Sequence, residues 1–162
     1  MQNTLEAGHQ AKYVLFDSWF SSPKTFRTVC ECGLHVVAMA KRSSKVHYCF
    51  KQEMVDVKTI FKLEKKRRGR SRYLLSVIVK AVYEVGKILP IKQVYVRNRD
   101  KRNEYLVLAP TNTTLTEADI IQLYGKRWSN RSLFQDGETV PSSCQLSRAI
   151  ILTVSLRIAS SL

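Results

Sequence analysis

Lys12-Tyr13-Val14-Leu15-Phe16-Asp17-Ser18-Trp19-Phe20 decides the fold, because it is an apolar run that delivers one carboxylate to its own C-terminal end. Tyr13 to Phe16 carry no polar interruption, which suits a strand buried on both faces of a parallel or mixed sheet. The strand stops at Asp17. Ser21-Ser22-Pro23 then offers a hydroxyl N-cap and a proline for a first helical turn, so a helix should run from Pro23 towards Gly33. That helix carries Phe26, Val29 and Cys30 at i, i+3, i+4 spacing. His35 to Ala40 reads as a second buried strand, completing a strand-helix-strand unit with a right-handed crossover. Lys41 and Arg42 leave it at the surface. A carboxylate where a buried strand meets a helix-bearing loop is where open α/β sheets place ligands and metals. An N-capping or turn aspartate fits the same position.

The 162 residues suffice for one domain with a real core, at 44% hydrophobic composition. A formal net charge of +14 points to a polyanionic partner, nucleic acid first and an acidic membrane surface second. The longest apolar run, Ala149 to Leu156, is broken by Thr153 and Ser155 and is far shorter than the roughly 20 residues a membrane span needs. No basic-then-apolar leader opens the chain, so the cytoplasm is the expected compartment. Cys30, Cys32, Cys49 and Cys144 fit a reducing environment as small buried hydrophobes. A zinc site built from them with His35 and His47 is disfavoured, since on a helix Cys30 and Cys32 point about 200° apart.

Residues Met1 to Gln10 suit the end of a helix that stops at Gly8. From Lys45 to Ala109 the pattern turns to alternation, at Val46 to Phe50, Tyr73 to Tyr83, Lys92 to Arg97 and Glu104 to Leu108, which predicts an antiparallel β region. Val55 to Leu63 reads equally as strand or helix, and Pro90 demands an edge position if it lies in a strand. Two basic clusters interrupt the region. The first, Lys62 to Arg72, includes Lys65, Lys66, Arg67, Arg68, Arg70 and Arg72, and the second is Arg97, Arg99, Lys101 and Arg102. Guanidinium and ammonium groups on loops bind nucleic-acid backbone without reading sequence, although a solvated charged loop gives the same pattern. Either Thr114 or Thr116 can cap the next helix, with Glu117 placed to return a capping-box bond to Thr114. Ile120, Ile121, Leu123, Tyr124 and Trp128 form its apolar face.

Taken together, Tyr13 to Phe20, the β-rich segment with its Lys/Arg loop, and Ile121 to Trp128 resemble the DDE transposases of bacterial insertion sequences, of the insertion-sequence-4 type, over residues 5 to 129. The resemblance implies an α/β fold: a partial RNase H-like domain with a β-rich insertion and its first strands missing. Its parts would be residues 1–42 as strand-helix-strand core, 43–113 as insertion, 114–129 as the start of the catalytic-glutamate helix, and 130–162 as tail. It implies DNA as partner, a transposase dimer on the element's ends, a nucleoid location, and Mg2+ or Mn2+ held by three carboxylates for in-line attack at phosphorus. Asp17 matches the second aspartate, and so would be catalytic and a metal ligand. Tyr124 and Arg127 match a motif of Tyr, two residues, Arg, three residues, Glu, six residues, Lys, which puts Arg127 near DNA phosphate. Tyr124 also reads as core.

The chain departs from that motif at its next two positions, where Arg131 and Glu138 stand for Glu and Lys. If Asn130 to Asp136 were encoded AAT CGA AGT CTT TTT CAA GAT, reading one base later would give Ile-Glu-Val-Phe-Phe-Lys-Met, the family-like continuation. The same shift turns GAA at Glu138, followed by the A of Thr139, into a lysine codon. Residues after about Ser129 therefore read as an out-of-frame tail with no native packing. The first aspartate of the triad has no match either. One carboxylate cannot hold two magnesium ions against water, so the expectation is a transposase remnant that is inactive alone, with the Asp17 strand left as an exposed apolar edge. Two other readings stand beside it: a non-catalytic nucleic-acid-binding module acting through Lys62 to Arg72, and a ribosome-associated basic protein.

Overall fold

The structure, a computed structural model, describes residues 13–98, 101, 103–129 and 150–152. Their strands are β1 (Tyr13–Phe16), β2 (His35–Met39), β3 (His47–Phe50), β4 (Glu53–Asp56), β5 (Tyr73–Glu84), β6 (Lys87–Arg97), β7 (Tyr105–Pro110) and β8 (Ile150–Leu152). Their helices are α1 (Pro23–Glu31), α2 (Val57–Leu63) and α3 (Glu117–Ser129). The strands form one mixed sheet in the order β4-β3-β5-β6-β7-β2-β1-β8. Only β1 and β2 pair in parallel, Phe16 opposite Ala38, as a strand-helix-strand unit requires. β7 then pairs antiparallel with β2, so the β-rich segment continues the same sheet.

Helices cover both faces, which is why β1 is apolar at every position. Val14 and Phe16 point into a core with Phe26 and Val29 of α1 and Val57 and Ile60 of α2. Tyr13 and Leu15 point the other way, against Ile120, Leu123 and Tyr124 of α3. A strand with one face in solvent would alternate; this one cannot. Burial of each large side chain here contributes about 1.5–3 kcal/mol, so losing either helix layer would expose β1 at prohibitive cost.

Local signals set the element ends. Ser22 Oγ accepts from Thr25 N at 3.1 Å with Pro23 in the first turn of α1, and Gly33 supplies a φ of +77° just beyond its end. The ambiguous stretch resolves into β4 followed by α2, because Asp56 caps the helix through Thr59 N at 2.9 Å. Pro90 lies in β6 opposite Lys80, but the pairing of β6 with β7 begins only at Val94, so its far side is an edge.

Four expectations need correction. The capping box of Glu117 with Thr114 does not form: of the two candidate caps Thr116 is used, its Oγ accepting from Asp119 N at 3.2 Å, while Thr114 turns back to Asn112. Glu117 is drawn away from any capping box by Lys92, whose ammonium lies 2.8 Å from it. Cys32 is exposed and Cys30 and Cys49 are half-buried, so these thiols are not core residues. The outer edge of β1 is not bare, since β8 pairs antiparallel with it, Val14 opposite Ile151. Ile150–Leu152, in the stretch read as an unpacked tail, thus joins the sheet, whereas the helix expected before Gly8, Cys144, Arg131, Glu138 and the remainder of the tail lie outside the described residues.

Candidate nucleic-acid interface

Asp17 follows β1 directly and caps a short 3-10 turn, Ser18–Phe20, with Oδ1 accepting from Ser18 N at 2.6 Å. The turn-capping role that fits an aspartate here is therefore real. Its other oxygen faces α3. Arg127 Nη2 lies 3.6 Å from Asp17 Oδ2, and the same guanidinium stands over the Tyr124 ring, 5.3 Å from its centroid. Three residues from opposite ends of the chain thus converge at one point. Burial pushes the Tyr124 hydroxyl up to about 12, Arg127 works against that rise, and Asp17 adds to it. The phenol stays protonated near neutrality. The Asp17 carboxylate is 40% exposed, so water screens the ion pair and its contribution is about 0–1 kcal/mol.

The described residues around Asp17 do not gather the donors of a two-metal centre. A two-metal centre needs several carboxylates around a shared position. Among the described residues no three His, Cys, Asp or Glu side chains are placed to share an ion. Asp17 instead faces a guanidinium, and a cation already there opposes a second one.

What does gather around Asp17 is positive charge, and the strand registers show why. β1 and β2 end together, Phe16 beside Ala38. Met39 pairs with Leu108 and Ala40 N donates to Val107 O at 2.7 Å, which sets the end of β2 beside the start of β7. Tyr105 pairs with Arg97 at the end of β6, and Tyr73 at the start of β5 pairs with Val96. Asp17, Lys41, Arg42, Arg97 and the loop from Lys65 to Arg72 therefore share one end of the sheet. Four strand spacings separate β1 from β5, about 19 Å. That matches about 5–6 phosphates along one strand of a duplex.

The loop is tethered rather than loose. Arg97 donates through Nη2 to Gly69 O and through Nε to Ser71 O, each at 3.2 Å, and Arg67 N donates to Leu74 O at 2.7 Å. Arg67 also hydrogen-bonds Tyr73 and stands over its ring. Lys66 lies half-buried over Phe61, while Lys65, Arg68, Arg70 and Arg72 are exposed. Lys101 pairs with Glu104 at 3.3 Å, and Arg99 and Arg102 lie outside the described residues.

Two contributors escaped the sequence reading as site residues. Lys41 stands over the Trp19 ring at 5.5 Å and Arg42 over Tyr105 at 5.1 Å, both on the same end of the sheet. Their position was findable, because residues following a strand parallel to β1 must emerge beside Asp17. Their aromatic partners were not, since Tyr105 arrives through β7. Among the described residues no helix is long and apolar enough to cross a membrane. No protein-family model, curated protein or solved structure matches the chain.

Proposed function

We propose that this chain is, by descent, a DDE transposase of RNase H-like fold that keeps a nucleic-acid-binding end and, among the described residues, one of the carboxylates for strand cleavage. One observation carries the reading. Asp17, Tyr124 and Arg127, the three positions that match the transposase motifs, come together at the end of the sheet where the basic loops also emerge. Arg127, the motif residue expected near phosphate, is held there by Asp17. Farther along the same end of the sheet the exposed guanidinium groups of Arg68, Arg70 and Arg72 suit phosphate oxygens in geometry and charge.

The test is cleavage and strand transfer on a labelled DNA duplex with Mg2+ or Mn2+, for this chain beside a version extended upstream and carrying Arg131→Glu with the reading frame restored. Binding by both and cleavage by the repaired protein alone is the expected result. Cleavage by the present chain that disappears in Asp17→Asn would overturn it, because carboxylates beyond those described would then complete the centre. A second reading, a nucleic-acid-binding module unrelated to transposases, rests on the basic end alone. It predicts that the repaired protein binds without cleaving.

A further inference from the structure

We propose that Trp19 is a stacking platform for an unpaired base, so that the strand bound beside Asp17 is single-stranded or locally opened there. This rests on the nucleic-acid reading above and adds to it the form of the strand. Trp19 is 82% exposed, and among the side chains whose burial is described it is the one exposed Phe, Tyr or Trp, at an end of the sheet rich in cations. It is also held in place. Asp17 caps its turn through Ser18 N, Phe20 N donates to Asp17 O at 3.2 Å, and Ser22 N donates to Phe20 O at 2.9 Å. Phe20 packs its ring near Phe16 at 6.3 Å, which anchors the inward side of the turn and leaves its neighbour facing out.

A large aromatic ring left mostly in water favours a flat, weakly hydrated partner on its open face. The cation beside it narrows the choice. Lys41 stands 5.5 Å from the ring centroid, and Arg42 follows it over Tyr105. An ammonium over one face of the ring supplies a phosphate contact for a strand whose base lies on the opposite face. A duplex offers no π-face along its length, because its bases are stacked on one another. An unpaired base does.

The experiment uses the full chain carrying Trp128→Phe, which leaves Trp19 as the sole tryptophan. Tryptophan fluorescence and the anisotropy of labelled DNA are followed with an oligothymidylate of about 20 nucleotides, a duplex of equal length, and heparin as a polyanion without bases. Should Trp128→Phe not fold, the difference between wild type and Trp19→Phe gives the same signal. The oligothymidylate should quench Trp19 strongly, and heparin should bind with little quenching. Trp19→Ala should weaken single-strand binding about ten-fold with heparin binding unchanged, and Trp19→Phe should recover most of the loss. Wild-type single-strand affinity in Trp19→Ala, with DNA binding otherwise intact, would overturn the platform and leave the nucleic-acid reading standing. Absence of binding to any nucleic acid would overturn both.

Discussion

Arg127 reaches Asp17 across the end of the sheet, Nη2 to Oδ2 at 3.6 Å, and so places a guanidinium where the motif resemblance implies a metal. A carboxylate that faces a cation behaves differently from one that ligates an ion. Asp17→Asn removes a negative charge from a basic surface, so affinity for polyanions should rise about two- to five-fold at low salt, the gain shrinking as salt is added. Filter-binding titrations with and without Mg2+ check this. A loss of affinity on the substitution, restored by higher Mg2+, would show that Asp17 holds a metal after all.

Backbone contacts made by the loop should appear in the salt dependence. Replacing Arg68, Arg70 and Arg72 together with alanine should lower the slope of log K against log salt by about 2–3, at about 0.9 for each phosphate neutralised. These side chains are exposed, so the thermal midpoint should barely move. An unchanged slope would make the run a solvated loop.

Acid should loosen α3. Lys92 and the Ser76 hydroxyl hold the Glu117 carboxyl down to about 2, with Lys92 the larger cause. A depressed carboxylate contributes stability that is complete above its ordinary value near 4.5 and is lost as pH falls towards 2. Glu117→Gln should therefore cost about 1–2 kcal/mol at neutral pH and almost nothing near pH 2. Denaturant unfolding at both pH values measures the difference, and an equal cost at each would assign the loss to packing.

The buried phenol of Tyr95 ties the α2 layer to the sheet. Its hydroxyl lies 3.0 Å from both Val57 O and Gln93 Oε1, and burial pushes its ionisation upward. Tyr95→Phe keeps the ring stacked with Phe61 at 5.4 Å but removes the single proton that Val57 O and Gln93 Oε1 share, so it should cost about 1–3 kcal/mol. Chemical unfolding would show this as a lower midpoint with an unchanged slope. A neutral substitution would mean that other donors reach those oxygens.

Much of this was legible in the sequence, and the boundary between the legible and the hidden has a physical cause. The unbroken apolar run of β1, the Ser22–Pro23 helix start and Gly33 at its end are local signals. Sterics and single hydrogen bonds fix them within a few residues, so the parallel β1–α1–β2 unit and the half-buried alternation of β5 to β7 could be read directly. At the start of α3 the sequence offers both Thr114 and Thr116 as caps, and the structure takes Thr116. Glu117, read as closing a box with Thr114, is claimed by Lys92 from strand β6, and no local rule contains that competitor. The apolar edge of β1 was likewise expected bare, because its antiparallel partner Ile150–Leu152 lies far along the chain.

The sequence by itself determined the strand that ends in Asp17, the excess of positive charge and the two motif residues on α3. Only the tertiary structure decided that these belong to one place. Strand pairing carries β5, β6 and β7 across the sheet to β2, which brings the basic loops to the end where Asp17 emerges. Packing of α3 on Tyr13 and Leu15 then lowers Arg127 onto its carboxylate. Distances between residues remote in the chain are set by register and by the burial of whole faces, and no short stretch of sequence encodes either.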